Sequence, residues 1–390
     1  MYLKSLLIVL FVFLLTPTKS QEIEKRTLRV GIFASLYLDS TFTNDTSYNY
    51  NEVMPKHLLS GLDFTEGSLI GLDSIIASDK VEVHYFDLKS KQHNINRLTT
   101  NHTFDSLDLL IGAVSGNDYK QLADIALSYQ IPFLSATFPN EGGIIKNPYT
   151  ILLNPTINVH CQAIVDFIQQ TFPTGNIIYF KKNGQQEEKI YNNIFLFNKK
   201  KYPKSRTNWN IYTPVDTMNL ADINRLLDTS KQNILICGSL EEKFNIEFLK
   251  ITSAIKSGNY HLIGMPNWET LKELQQNKHK SKTIYFSASF FNDGSKPYVS
   301  FSQKFMEKTN GKPSDIAYRG YDACFNFINL LIKHRGNFIN QLNDQTFRQL
   351  IDYNIQPVKN PTQNTPDYFE NKRVYIIKRT NGISSKAGKF

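Results

Sequence analysis

Sulfur is scarce in this chain: three cysteines, Cys161, Cys237 and Cys324, stand far apart among 390 residues. A disulfide framework needs more of them at closer spacing. Cys161 and Cys324 fall in helical patterns and Cys237 in an apolar strand, so buried free thiols are expected, with closure of one pair the alternative. Also missing are G-x-x-x-x-G-K-[ST], a G-x-G-x-x-G after the first strand and a G-x-S-x-G elbow, which leaves out the common phosphate-binding and hydrolase signatures. The eight histidines are dispersed. They make no H-E-x-x-H pair and no Cys/His cluster, so no metal or other cofactor is expected. His84 and His261 lie on strand patterns, where hydrogen-bonded core histidines are the expectation. Acidic pairs such as Glu187-Glu188 fall on helices and read as solvated faces. No catalytic constellation remains, and the chain is read as non-enzymatic.

Charge of one sign is not concentrated either. The formal net charge is +9, but the densest basic runs, Lys199–Lys201 and Lys372–Arg373, are too short to track a nucleic-acid backbone. No nucleic-acid partner is expected. Only one long apolar run exists, Leu6–Leu15 (LLIVLFVFLL), about half of the roughly 20 residues a spanning helix needs. Lys4 precedes it, Pro17 breaks it, and Thr18 and Ser20 stand at −3 and −1 of a cleavage point before Gln21. That layout reads as a secretory signal over residues 1–20, with an uncleaved anchor as the alternative. The rest is expected not to span a membrane and to be periplasmic or secreted. Two sequons, at Asn44 and Asn101, matter only in a glycosylating host.

What is abundant is alternation. Leu28–Ala34 (LRVGIFA), Val81–Leu88, Leu107–Val114 and Ile131–Ala136 read as strands, separated by helical patterns over Leu58–Ile76 and Asn117–Gln130. In the first helix the apolar stripe is taken as Leu59, Leu62, Phe64, Leu69, Leu72, Ile75 and Ile76. Residues Ser40 to Lys56 have no period and read as a surface loop. The βαβαβ rhythm marks a doubly wound parallel sheet, and it begins again near Leu152–Pro155. Strands are expected at Asn176–Phe180, Trp209–Thr213, Asn233–Cys237 and His261–Met265. After them come Thr283–Phe290 as a strand, a long apolar helix at Ile316–Lys333, a helix at Phe338–Tyr353, a loop at 356–369 and a last strand at Arg373–Lys378. The predicted architecture is α/β: two doubly wound parallel-sheet lobes, with the last tract of chain returning to both. Lobe 1 takes 27–153 and 282–336, lobe 2 takes 154–281 and 337–380, and 381–390 is a tail.

Four segments carry a resemblance: Gly61–Asp73 (GLDFTEGSLIGLD), Leu109–Gly116 (LLIGAVSG), Ile131–Thr137 (IPFLSAT) and Lys312–Ala323 (KPSDIAYRGYDA). In order and spacing they resemble the type 1 solute-binding proteins of the bacterial periplasm, of the leucine/isoleucine/valine-binding type. The resemblance covers about residues 28–380. It implies two lobes joined by three crossovers that close on a ligand by a hinge, with ligand groups at Ser115, Gly116 and Asn117 and at Ser135 and Thr137. It also implies departures. Pro139 stands where that family often has a hydroxyl, and proline has no N–H to give. Lys181–Gly184 replaces a tyrosine, and Gly264–Trp268 offers Asn267 and Trp268 where the family places an acid for the ligand's ammonium. A buried ammonium without a carboxylate is costly, so a neutral amide- or hydroxyl-bearing small molecule is expected rather than a free amino acid.

Two functions follow. One is a solute receptor that captures a small polar molecule for an ABC-type importer or a sensor, with a membrane permease as partner. The other is an envelope regulatory protein, resembling some cell-wall synthase regulators, that keeps the fold and binds a protein.

Overall fold

Short apolar runs, buried on both faces, build two seven-stranded sheets in the computed structural model. It describes residues 26–43, 47–50, 54–75, 80–256, 259–275, 279, 282–359 and 365–390. The expected signal at 1–20 and the Asn44 sequon lie outside these residues. No helix among the described residues is long and apolar enough to cross a membrane.

In chain order, the first half of the molecule comprises β1 (Leu28–Ala34), α1 (Leu38–Thr41), β2 (Phe42–Thr43), β3 (Ser47–Tyr48), α2 (Lys56–Leu72), β4 (Val81–Asp87), α3 (Ile95–Thr100), β5 (Leu109–Ala113), α4 (Gly116–Tyr129), β6 (Phe133–Ser135) and β7 (Thr150–Leu152). Then follow α5 (Ile157–Thr171), β8 (Asn176–Phe180), α6 (Gln185–Lys201), β9 (Asn208–Tyr212), α7 (Leu220–Leu226), β10 (Asn233–Cys237), α8 (Glu242–Ser253), β11 (Tyr260–Gly264), α9 (Lys272–Gln275) and β12 (Ile284–Ala288). The chain finishes with α10 (Lys296–Thr309), α11 (Asp315–His334), β13 (Ile355–Lys359), β14 (Pro366–Asn371), β15 (Tyr375–Thr380) and β16 (Ile383–Lys389).

The first sheet runs β13-β14-β7-β6-β5-β1-β4 and the second β16-β15-β12-β11-β10-β8-β9. Within each, the strands from the early part of the chain are parallel. The late strands add antiparallel edges: β13 on β14, and β15 and β16 beside β12. The chain passes between the sheets three times, after β7, β12 and β14.

That order moves several expected segments. β12 belongs to the second sheet, so residues 284–288 are not in lobe 1. β13 and β14 belong to the first sheet, so 355–371 are not in lobe 2. Residues 383–389 are a strand rather than a tail, and Phe338–Tyr353 holds only the end of a short 3-10 turn, Arg335–Gln341, in place of a helix. The strand signal in 356–369 was masked by Pro357 and Pro366. Proline removes a ladder donor and is tolerated at strand starts and edges, which are the places these two occupy.

Helix α2 shows why its glycines matter. Its buried residues include Gly61, Phe64, Gly67, Ser68, Ile70 and Gly71, whereas Leu59 is 42% exposed. A Cβ on Gly67 would lie 2.0 Å from the Ala317 carbonyl oxygen, and one on Gly71 2.6 Å from that of Tyr321. Helices α2 and α11 therefore touch backbone to backbone through these small residues, while Phe64, Leu72 and Ile75 of the expected stripe pack on the same core. Helix α11 is the spine of lobe 1, placing Ala317, Ala323, Phe327, Ile328 and Leu331 in the same core as Val30, Ile32 and Ile111.

Between the sheets the crossovers are pinned together. Glu370 accepts from the Thr156 N–H at 3.1 Å and is paired with Lys372. Arg319 of α11 donates to Ser289, just past β12, at 2.8 Å. All three cysteines are buried and free.

Candidate functional site

In an open α/β sheet, ligands sit outside the carboxyl ends of the strands where the strand order reverses. In the first sheet that point lies between β1 and β5, because the chain goes from β1 to one neighbour, β4, and then to the other, β5. A cavity of about 380 Å³ opens there, lined by residues that follow β1, β4, β5 and β6 and by the first turn of α2.

Each wall has a local cause. After β1 the chain turns over the sheet because Asp87, at the end of β4 and 2% exposed, accepts the Leu36 and Leu38 N–H groups at 2.9 and 2.8 Å. This holds Tyr37 at φ 57, ψ 35. Asp87 also takes the Lys89 N–H at 3.0 Å, which directs Lys89 to the cavity, where its ammonium meets Asp118 at 2.6 Å. The Asp118 carboxylate pushes the Lys89 pKa up. After β5, Ser115 caps α4 with extended backbone and no side-chain cap bond. Its hydroxyl is thus not spent on the helix. Gly116 has φ +59, and a Cβ there would meet nothing within 4 Å; the backbone, not space, asks for glycine. The α4 N-terminus directs unpaired N–H groups and a positive dipole end at the cavity.

Of the expected ligand groups, Ser115 and Thr137 line this cavity. Gly116 and Asn117 are exposed in the adjoining first turn of α4. Ser135 is fully buried inside β6 and its hydroxyl has no partner. Pro139 lines the cavity beside Thr137. The two second-lobe groups are elsewhere. Trp268 is 1% exposed and packs in the second core with Phe248, 5.8 Å between rings. A Cβ on Gly264 would lie 1.9 Å from that ring, so Gly264 is the gap that lets the indole turn inward. A ring so enclosed has no face to stack on a ligand. Asn267 donates to the Leu240 carbonyl at 2.9 Å.

At the corresponding reversal in the second sheet, between β8 and β10, stands Glu187. It is 7% exposed and accepts from the Ser239 hydroxyl at 3.0 Å. The expectation of a solvated face fails for Glu187 because the first turn of α6 folds over the strand ends. Nearby, Lys181 pairs with Glu188 and Lys182 with Glu241, each at 2.6 Å. Burial, reinforced by Asp315 and opposed by Arg319, pushes the Glu269 carboxyl up to about 8. Burial, helped by Arg319, pushes His160 down to about 3. Lys189 of α6 reaches Glu141 of lobe 1 at 3.3 Å, an exposed contact between the lobes. Of the strand histidines, His261 rests on Phe172 and Tyr285, whereas His84 is half exposed on the edge strand β4.

A larger cavity, about 720 Å³, lies at the opposite, amino ends of the first sheet's strands. Its charged pair, Arg26 and Asp108, is closed on itself, and Arg335 is spent on the Arg26 carbonyl at 3.0 Å; Gln130, Tyr149 and Asn340 share the wall with Leu28, Phe338 and Phe369.

Tyr37, His57, Lys89 and Asp118 are cavity residues that sequence reading missed. The signal was available, since Lys89 directly follows one recognised strand and Tyr37 stands three residues past another, but the strand order that makes those ends important is not written in the periodicity.

The architecture recurs in solved structures over nearly the whole chain. A protein from Rhodospirillum rubrum described as a branched-chain amino acid ABC transporter has a TM-score of 0.68 at 13% identity, covering 92% of this chain and 99% of that one. A branched-chain amino acid ABC transporter periplasmic ligand-binding protein from Burkholderia xenovorans LB400 has a TM-score of 0.63 at 11% identity, over 93% and 95%. An ABC transporter substrate-binding protein from Desulfitobacterium hafniense in complex with Leu has a TM-score of 0.56 at 12% identity, over 93% and 100%. No protein-family model matches the sequence, and no curated protein does. The chain has the type 1 periplasmic binding protein fold.

Proposed function

We infer that this chain is an exported, non-catalytic solute-binding protein that captures a small polar molecule between its lobes. The observation that carries the reading is the cavity at the first sheet's reversal point, where the Ser115 hydroxyl, the first N–H groups of α4 at Gly116 and Asn117, and Thr137 are grouped. Such donors suit a hydrogen-bond-accepting head group, neutral or anionic. The shared fold with ABC transporter proteins supports delivery to a membrane importer or sensor, from a periplasmic or secreted location.

A free amino acid fits poorly. Asp118 is paired with Lys89, Glu187 is bonded to Ser239, and burial pushes the Glu269 carboxyl up to about 8. Among the described residues, an ammonium buried there would have to compete with Lys89 for Asp118 or share Glu187 with the Ser239 hydroxyl.

A thermal-shift screen of amino acids, amides, carboxylates, sugars and peptidoglycan fragments tests the reading. Stabilisation by a polar compound other than an amino acid is expected, and it should weaken in Ser115→Ala. No response to any compound would reject it. The second reading, an envelope regulatory protein, is favoured by one observation: Trp268 is withdrawn into the second core and the Asn267 amide is bonded to its own chain. A stable stoichiometric protein partner co-purifying from envelope extracts would select it.

A further inference from the structure

Five aromatic rings form an unbroken file from the cavity wall to its mouth. Tyr37 meets His57 edge-on at 5.0 Å, and His57 lies 6.3 Å from Tyr50. Tyr50 is 5.7 Å from Tyr48, which is 5.9 Å from Phe42. Tyr37 and His57 line the cavity, whereas Phe42 and Tyr48 stand 37% and 42% exposed on the β2–β3 hairpin.

The file is built rather than incidental. The Asn49 N–H donates to the Thr41 carbonyl at 2.9 Å, its amide donates to Ser40 at 3.0 Å, and Thr43 bonds its side-chain oxygen. Asp39 accepts the Lys91 N–H at 2.7 Å, which ties the segment to the end of β4. Tyr37 carries the cost at the inner end: its left-handed backbone is disfavoured for a bulky residue, and the Asp87 bonds on either side hold it there. Strain kept at a residue that lines a cavity is an observation that points to use.

The geometry points to an aromatic subsite: the ligand whose head sits at Ser115 and Thr137 carries a planar aromatic ring that joins the file beside Tyr37 and His57. This rests on the solute-binding reading of the cavity. Neighbouring rings in the file are tilted or edge-on, with interplanar angles from 53° to 84°, and edge-to-face contact is one of the geometries that aromatic pairs prefer. Asp118 is the one carboxylate among the described residues that line the cavity, and it is closed on Lys89, which leaves few acceptors for the hydroxyl protons of a sugar.

The test compares phenylacetate, cyclohexylacetate and acetate by titration calorimetry on the full protein, with Tyr37→Leu, Tyr37→Phe, His57→Leu and Ser115→Ala variants. Phenylacetate should bind about threefold to tenfold tighter than its saturated counterpart. The preference should vanish in Tyr37→Leu or His57→Leu and persist in Tyr37→Phe. Equal binding of the two ring compounds, or a preference that survives both leucine variants, overturns the aromatic subsite. If the carboxylates bind without preference and weaken in Ser115→Ala, the solute-binding reading stands and only the subsite falls. If none binds, or a malto-oligosaccharide binds in their place, the subsite is overturned; silence from every probe counts against the cavity reading as well.

Discussion

The side-chain amide of Asn371 donates to the Leu153 carbonyl at 3.0 Å, joining the third crossover to the first across 218 positions of sequence. The same residue accepts the N–H groups of Asn354 and Arg373, at 2.9 and 3.0 Å, and is 1% exposed. It is a three-way junction where the crossovers meet. Removing it orphans one carbonyl and two N–H groups in the interior. Asn371→Ala should lose about 2–4 kcal/mol of stability, since each unsatisfied buried group costs about 1–3 kcal/mol, and urea denaturation will show it.

The contact between α2 and α11 leaves no room for a methyl group. Gly67→Ala and Gly71→Ala should each destabilise by about 1–3 kcal/mol or more, as overpacking does. Gly311→Ala, where a Cβ would meet its nearest neighbour at an ordinary 3.5 Å, is the control and should change the melting temperature little.

Ligand binding and stability should separate at two of the expected site residues. Ser115→Ala removes an exposed hydroxyl that caps nothing, so the melting temperature should hold while affinity for the cognate solute falls about tenfold, as loss of one good hydrogen bond implies. Trp268→Ala should do the reverse, costing about 3–5 kcal/mol as a large buried ring. A stable Trp268→Ala protein with lost binding would place the indole in the site after all.

Two groups between the lobes give stability opposite slopes with pH. Glu269, pushed up to about 8, holds its proton in the folded chain through a range where the unfolded chain has lost it. Stability from this group therefore falls as pH rises from about 4.5 to 8, and Glu269→Gln should raise stability at pH 8 by about 1–2 kcal/mol. His160, pushed down to about 3, stays neutral where the unfolded imidazole is charged. Its contribution is lost as pH falls below about 6.5. Melting temperatures of the parent and of Glu269→Gln across pH 5–9 would settle the first slope; parallel curves would refute it.

The parallel strands were readable because burial on both faces makes β1, β5, β8, β10 and β12 almost wholly apolar. Elements with one wet face left weaker marks. β16 has nearly every residue exposed, β13 contains Pro357, and the part of α2 that meets α11 is glycine, which carries no hydropathy. The site was legible to the same degree. Ser115 and Thr137 follow strands whose ends can be recognised, so the first wall could be sketched. The second wall could not: whether Trp268 points out or in depends on a missing Cβ at Gly264, and whether Glu187 meets water depends on how α6 lies over β10. Those are facts of packing, not of pattern.

The order of assembly follows from the strand order. β13 and β14 complete the first sheet, yet they are made after the whole parallel part of the second. Neither lobe can close its ladder until about residue 370 has emerged from the ribosome or the translocation pore. The usual sequence of vectorial folding, in which an N-terminal unit finishes before the next begins, is denied to this chain. Both halves must mature together at the end of synthesis, and a nascent chain that stalls before β13 would carry a bare edge at β7, ready to pair with another copy.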